Sequence, residues 1–337
     1  MEEVLTPYLL DERPYTHLNA RLRRFVVLCH VLAPALTIRF LKKYVRELAD
    51  KLMMENVGKM WMRDRCFERV IRLYGKQDQR TDAWHAQRGS MITASEVSKV
   101  WSSAASRLEL LLKKLEPPAK TENNAFNSVP ALIWGTRFEP VAKKIYEDTT
   151  GCDIIDVGCC QHPVHKFLGA SPDGLIVPRY ADADPRRYGR LVEFKCPMSR
   201  VRKDEIPSYY IHQMQMQMEC TGIDECEYVE FRFKQLNFTE WDACSTMKGV
   251  FAVDPNGKVD YKPDTLVLHE WQSSHTEDHQ YIYWVLLDTK KDFVPKDPKW
   301  LSDHIEDLTK FWDDVQKHRA EGTKPEPLPS KIVTIDV

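Results

Sequence analysis

The chain has 337 residues, 43% hydrophobic and 29% charged, with 13 glycines, 20 prolines and no low-complexity run. That composition excludes collagen-like, disulfide-scaffold and wholly disordered proteins and leaves one large domain or two ordinary ones. The net charge of −2 is unevenly placed, since residues 21–80 carry 15 Lys/Arg against 6 Asp/Glu and residues 251–337 carry 11 against 17. A basic N-terminal stretch suits a polyanion, and equally a set of solvated helix faces.

Residues 18–75 read as helical. Leu22, Phe25, Val26 and Cys29 recur at helical spacing until Pro34, a second helix fits 36–54, and a third fits 59–74 and stops at Gly75. The polar stretch 75–82 is a candidate linker, which divides a basic helical N-terminal region (1–80) from a domain at 81–322 and a tail at 323–337. Thr93 and Glu96 form a Thr-x-x-Glu capping box for a helix reaching Trp101. Further helices are predicted at 105–115 and 134–149, with a polar loop at 120–128 between them. Residues 168–177 and 190–196 are strand-like and joined by a turn-rich segment at 182–189. The alternating Gln-Met run at 213–218 has strand periodicity, but Pro207 before it and Gly222 after it favour a helix. Strands follow at 227–238 and 281–287, with an Asn256-Gly257 hairpin between them and a closing helix at 300–319. Strands flanked by helices on both sides predict an α/β or α+β core.

Nine cysteines, an odd number with no Cys-x-x-Cys pair, argue against structural zinc and iron–sulfur clusters. The acidic Met1-Glu2-Glu3 start is unlike a secretory signal, so free thiols in a reducing intracellular compartment are expected. The most apolar stretch, 25–41, is broken by His30, Pro34 and Arg39, and no membrane span or membrane partner is predicted. His162 and His165 flank Pro163 and read as loop or surface residues; the nine tryptophans are scattered and read as core.

The chemistry concentrates in Ser171-Pro-Asp-Gly174 and Leu191-Val-Glu-Phe-Lys-Cys-Pro197. In an extended strand Glu193 and Lys195 face one way and Phe194 the other, and a hairpin return brings Asp173 beside Glu193. Two carboxylates held together repel unless a cation lies between them, and hard oxygen donors without a Cys/His cluster favour Mg²⁺ or Mn²⁺. A lysine there can orient or deprotonate a water and stabilise charge on a phosphate. The bare [DE]-x-K pattern occurs four times in the chain, but only at Glu193/Lys195 does it sit in an apolar strand after a Pro-Asp-Gly turn.

Asp173 with Glu193-Phe194-Lys195 resembles the PD-(D/E)xK nuclease signature. The run from Trp84 to Val97 resembles the opening motif of the lambda-type exonucleases, or YqaJ-like viral recombinases. Trp134-Gly135 through Glu139 and Tyr210-Ile-His-Gln-Met-Gln215 resemble that family's acidic and glutamine-bearing helices. The resemblance implies a restriction-endonuclease-like mixed β-sheet core flanked by helices, with the N-terminal helices as an extension. It implies metal-dependent 5′→3′ digestion of linear double-stranded DNA. Asp173, Glu193, the Phe194 carbonyl and Glu139 would hold two Mg²⁺ or Mn²⁺ ions, and Lys195 would act on the attacking water. Gln215, with Gln213 as the competing choice, would steady that water or the site. Arg88, Thr93 and Ser95 would hold the terminal 5′ phosphate, where a helix N-terminus at Thr93 independently suits an anion.

Each residue also has a plainer reading: Arg88 as a surface partner of Asp82, Thr93 as a cap, Glu139 as a first-turn acid, the glutamines as a polar helix face. An endonuclease on DNA or RNA would use the same carboxylates and lysine, and a non-catalytic DNA-binding recombination factor is a third class. Expected partners are duplex DNA with 5′-phosphate ends, a single-strand annealing protein and further copies of the chain. A viral origin would place the protein in the nucleus or cytoplasm of an infected host. The long helical preface and the tail beyond Phe238 depart from compact phage relatives and look like the extensions of relatives in large DNA viruses of eukaryotes.

Overall fold

The computed structural model describes residues 58–75, 77, 79, 81–116, 130–179, 187–199 and 204–326. Helices run at Gly58–Tyr74 (α1), Asp82–Gly89 (α2), Lys99–Ser102 (α3), Ala104–Leu115 (α4), Pro130–Thr150 (α5), Ser208–Thr221 (α6), Phe238–Asp242 (α7), Leu268–Gln272 (α8) and Trp300–Glu321 (α9). Strands run at Ile92–Thr93 (β1), Cys152–Ile155 (β2), Cys160–Gln161 (β3), Leu168–Ala170 (β4), Gly174–Pro178 (β5), Leu191–Lys195 (β6), Glu225–Leu236 (β7), Lys248–Val253 (β8), Val259–Tyr261 (β9) and Gln280–Pro295 (β10).

Seven strands form one mixed sheet in the order β2-β5-β6-β7-β10-β8-β9, and β1-β4-β3 form a small second sheet. All neighbours in the large sheet are antiparallel except β6 and β7, which pair in parallel from Leu191↔Cys226 to Lys195↔Glu230. A parallel pair needs a long crossover, and α6 supplies it. The predicted mixed sheet flanked by helices is what the chain forms.

Strand alternation builds a core on each face. Leu191, Cys226 and Tyr228 point to one face, against Met214, Met216 and Met218 of α6 and Leu308, Phe311 and Val315 of α9. Val192, Phe194, Val229 and Phe231 point to the other, against Phe138, Val141, Ala142 and Ile145 of α5. Residues 213–218 of α6 are buried without exception, because the helix is sandwiched between the sheet and other elements. Its stop is Gly222, at φ +74°, a conformation that glycine alone adopts without strain. Helix α1 joins this core through Val70, and its Arg63 pairs with Asp224 at 2.9 Å and with Glu225.

Several expectations change. Residues 168–177 are two strands in different sheets, because Pro172 has no N–H to continue the ladder and the chain crosses over at 171–173. The expected helix from Thr93 is instead a 3-10 turn at Ala94–Glu96 followed by α3. Thr93 makes no side-chain cap bond, so no capping box forms. The segment before Trp84 already contains a helix start, with Thr81 Oγ1 accepting from Trp84 N at 3.2 Å. The strand expected at 281–287 runs to Pro295, since its charged second half is held by β7 along its whole length. The helix expected at 134–149 begins at Pro130. The Asn256-Gly257 hairpin forms between β8 and β9. The first two predicted helices and the 120–128 loop lie outside the described residues. Among those described, no helix is long and apolar enough to cross a membrane.

His162 is not a surface residue. It is 4% exposed, and its Nδ1 accepts from His165 N at 2.9 Å and Val164 N at 3.2 Å, which requires a neutral acceptor nitrogen. Burial, aided by His165 and nearby cations, lowers its pKa from 6.5 to about 4. A depressed histidine contributes stability that is complete above pH 6.5 and lost as pH falls towards 4, up to about 3 kcal/mol. Urea denaturation between pH 7 and pH 4 should show this loss in the wild type. His162→Asn, which keeps an acceptor but does not titrate, should lack that component of the slope.

Candidate active site

Strand β6 presents Glu193 and Lys195 on the α6 face. Glu193 is 1% exposed, and a buried carboxylate must be matched by donors. Its Oε1 accepts from Lys195 Nζ and from Gln213 Nε2 (2.6 Å), and its Oε2 accepts from Gln217 Nε2 (2.6 Å). Lys195 also donates to Gln213 Oε1 at 3.3 Å and lies 4.5 Å from the centre of the Tyr210 ring. Asp173 sits just before β5, opposite β6, and its Oδ2 accepts from Phe194 N at 2.7 Å. Burial, with Glu193 and Glu139 adding repulsion, raises the Asp173 pKa well above its usual range. Burial would lower Lys195, but Glu193 and Asp173 outweigh it and raise its pKa, so the side chain is an ammonium.

A cleft of about 380 Å³ opens at Asp173 and Phe194, lined also by Gln77, Gln79, Glu139 and Asp156 among others. Glu139 reaches it from the middle of α5 rather than from a first turn, beside Pro140. Gln79, in the segment taken for a linker, donates to Val157 O (2.8 Å) and Pro172 O (3.1 Å) and so forms part of the wall. Asp173, Glu139, Glu193 and the Phe194 carbonyl are hard oxygen donors, and the mutual repulsion seen at Asp173 is what a cation relieves. Their chemistry fits a divalent ion. Among the described residues, no three His, Cys, Asp or Glu side chains already stand together as a cage.

Beside this cleft, Arg88 gathers hydroxyls. It donates to Ser95 Oγ (3.1 Å), Thr93 Oγ1 (3.3 Å) and Ser171 Oγ (3.4 Å), and its guanidinium packs 4.3 Å from the Trp84 ring centre. Trp84 Nε1 also donates to Ser171 Oγ at 3.0 Å. Arg88 forms no ion pair with a described carboxylate, Asp82 included. Lys113 and Lys114 lie just behind, on Glu96, so three cations face one carboxylate and the pocket is net positive. Arg88, Thr93 and Ser95 are therefore brought together as a group able to bind an anion, though without the helix N-terminus expected at Thr93.

Gln215 is placed elsewhere. Its Nε2 donates to Pro295 O (2.9 Å) and its Oε1 accepts from Asp297 N (2.8 Å), away from the carboxylates. The reason is helix period: 213 and 217 share a face, and 215 lies about 200° round from 213. Gln213 and Gln217 hold Glu193. The i, i+4 spacing was the signal that could have selected Gln217. Ser171 and Glu96 lie in segments the sequence singled out but were given no part in this pocket, and nothing marked Lys114, since α4 meets α2 only through the fold.

A buried Glu-x-Lys strand on a mixed sheet, with an aspartate just before the neighbouring strand, has the arrangement of the PD-(D/E)xK signature. Residues 83–224 match the YqaJ-like viral recombinase domain. It is similar to the uncharacterized protein R354 of Acanthamoeba polyphaga mimivirus, at 24% identity over 77% of this chain and 56% of that protein. It is also similar to protein D345L of African swine fever virus (strain Badajoz 1971 Vero-adapted), at 30% identity over 50% of this chain and 54% of that protein. The chain thus spans about half the length of these relatives. Among solved structures, an alkaline exonuclease (LHK-Exo) from Laribacter hongkongensis aligns with a TM-score of 0.45 and 23% identity, covering 72% of this chain and 95% of that one.

The hydrogen bonds to Glu193 can be tested by stability alone. Gln217→Ala leaves Glu193 Oε2 buried without its donor and should lower unfolding free energy by about 1–3 kcal/mol in a urea titration at pH 7. An unchanged midpoint would show that the Gln217 bond does not support the buried carboxylate.

Proposed function

We propose that the protein is a metal-dependent 5′→3′ exonuclease that digests linear double-stranded DNA from 5′-phosphorylated ends, in recombination, repair or viral genome processing. The observation that carries this reading is the tripeptide Ser171-Pro172-Asp173. Its first residue bonds Arg88 and Trp84 in the anion pocket, and its third bonds β6 in the carboxylate site. Residues two apart lie within about 7 Å along the chain. A terminal phosphate in the pocket would thus set a nearby phosphodiester against the carboxylates.

Asp173, Glu193, Glu139 and the Phe194 carbonyl would hold Mg²⁺ or Mn²⁺, with two ions expected. Such ions, when bound, neutralise phosphate charge and make a bound water more acidic. Lys195, paired with Glu193, would act on the attacking water and stabilise charge gathering on the phosphate. Gln213 and Gln217 fix the Glu193 carboxylate, and Phe194 N fixes Asp173. Arg88, Thr93 and Ser95 would supply donors for the 5′ phosphate, with positive charge behind them. An annealing protein as partner, self-association and work inside an infected host extend the same reading.

The test is digestion with Mg²⁺ of linear duplex bearing 5′-phosphate or 5′-hydroxyl ends, beside closed-circular DNA, with wild type and Lys195→Ala. Expected are loss of linear DNA only, faster from 5′-phosphate ends, and a fall of at least about 10²-fold in the variant. Cutting of the circle would replace the exonuclease with an endonuclease. No cleavage despite tight binding would overturn the catalytic reading on duplex DNA.

A further inference from the structure

Behind Arg88 and Thr93 lies a buried ion pair that the proposed chemistry does not use. Glu96 is 6% exposed and Lys114 is 3% exposed. Lys114 Nζ donates to Glu96 Oε2 at 2.8 Å and to the main-chain oxygen of Arg88 at 3.1 Å. Thr93 Oγ1 donates its one hydrogen to the same Glu96 oxygen at 2.5 Å. That leaves only lone pairs on the Thr93 hydroxyl to face Arg88, and Arg88 Nη2 donates to them at 3.3 Å. The carboxylate therefore decides which way Thr93 points, and Lys114 ties the main chain of Arg88 to it.

The support continues outward. Arg319, exposed on α9, donates to Gly89 O at 3.0 Å and to Lys114 O at 2.6 Å, bracing the ends of α2 and α4 together. Among the described residues Lys114 has no other carboxylate at this distance, whereas Glu96 also takes Lys113 on its Oε1 at 2.7 Å, so the pair is asymmetric. An ammonium buried without its carboxylate sheds its proton or leaves, and a lone carboxylate does the converse.

We propose, resting on the reading of Arg88, Thr93 and Ser95 as a 5′-phosphate pocket, that Glu96 and Lys114 are positioning residues that set selectivity for phosphorylated ends, with Arg319 as an outer brace. They touch no substrate atom. They hold the donors of the pocket in the one arrangement that suits a phosphate.

The measurement is fluorescence anisotropy of the full chain with duplex oligonucleotides carrying a 5′-phosphate or a 5′-hydroxyl, in EDTA so that no cleavage occurs. Wild type should bind the phosphorylated end about tenfold more tightly, or more. The double substitution Glu96→Gln/Lys114→Met removes both charges and leaves neither partner stranded. It should collapse the Kd ratio towards that of Arg88→Ala, while a purely structural role would weaken both ends alike and leave the ratio in place. Arg319→Ala, a surface change, should lower the ratio severalfold and decides the matter if the double variant does not fold. A wild-type ratio in the folded double variant, or in Arg319→Ala when that is the deciding variant, overturns the proposal alone. A wild type that does not distinguish the two ends overturns the phosphate-pocket reading itself.

Discussion

A carboxylate buried to 1% exposure sits at the centre of this fold, and its need for donors shapes what surrounds it. Glu193 is met by a lysine on its own strand and by two glutamines on the helix that carries the chain from β6 to β7. The parallel pairing of those strands obliges a crossover, and the crossover lays α6 over the strand face bearing Glu193 and Lys195. Topology and charge satisfaction are thus one constraint. A helix placed otherwise would leave a charge in the core, and an antiparallel return would leave no helix to cover it.

The same constraint explains what was legible in the residues. Glu193 and Lys195 stood out because charges in an otherwise apolar strand demand a reason, and strand alternation alone put them on one side with Phe194 on the other. Asp173 followed from the turn before β5. The helix at α6 was readable from its proline and glycine boundaries despite a strand-like Gln-Met alternation. What local pattern could not supply was partner identity. Gln213 and Gln217 share a helix face and Gln215 does not, but which face meets Glu193 is decided only by how α6 lies on the sheet. The split of 168–177 into two sheets likewise depends on long-range pairing, with β1 claiming one half and β2 and β6 the other.

The anion pocket shows the limit most plainly. Arg88 and the hydroxyls at 93 and 95 lie close in sequence, and their grouping was foreseeable. The helix N-terminus expected at Thr93 in its support is absent, and a short 3-10 turn stands there instead. The positive character comes instead from Lys113 and Lys114, some twenty residues further on. The backbone dipole expected there is replaced by side-chain charge.

Gln215 makes a point of a different kind. Its two bonds to the segment after β10 lock the active-site helix to residues 295–297, and β7 finds its second neighbour only in β10. The stretch that matches the YqaJ-like viral recombinase domain, 83–224, is therefore smaller than the unit held together by these contacts. Match and contact have different borders in this chain: the site residues of α2, α5, β6 and α6 fall inside the matched segment, while the bonds that hold Gln215 come from Pro295 and Asp297 beyond it. A substitution in that distal part would reach α6 without altering any residue of the matched segment.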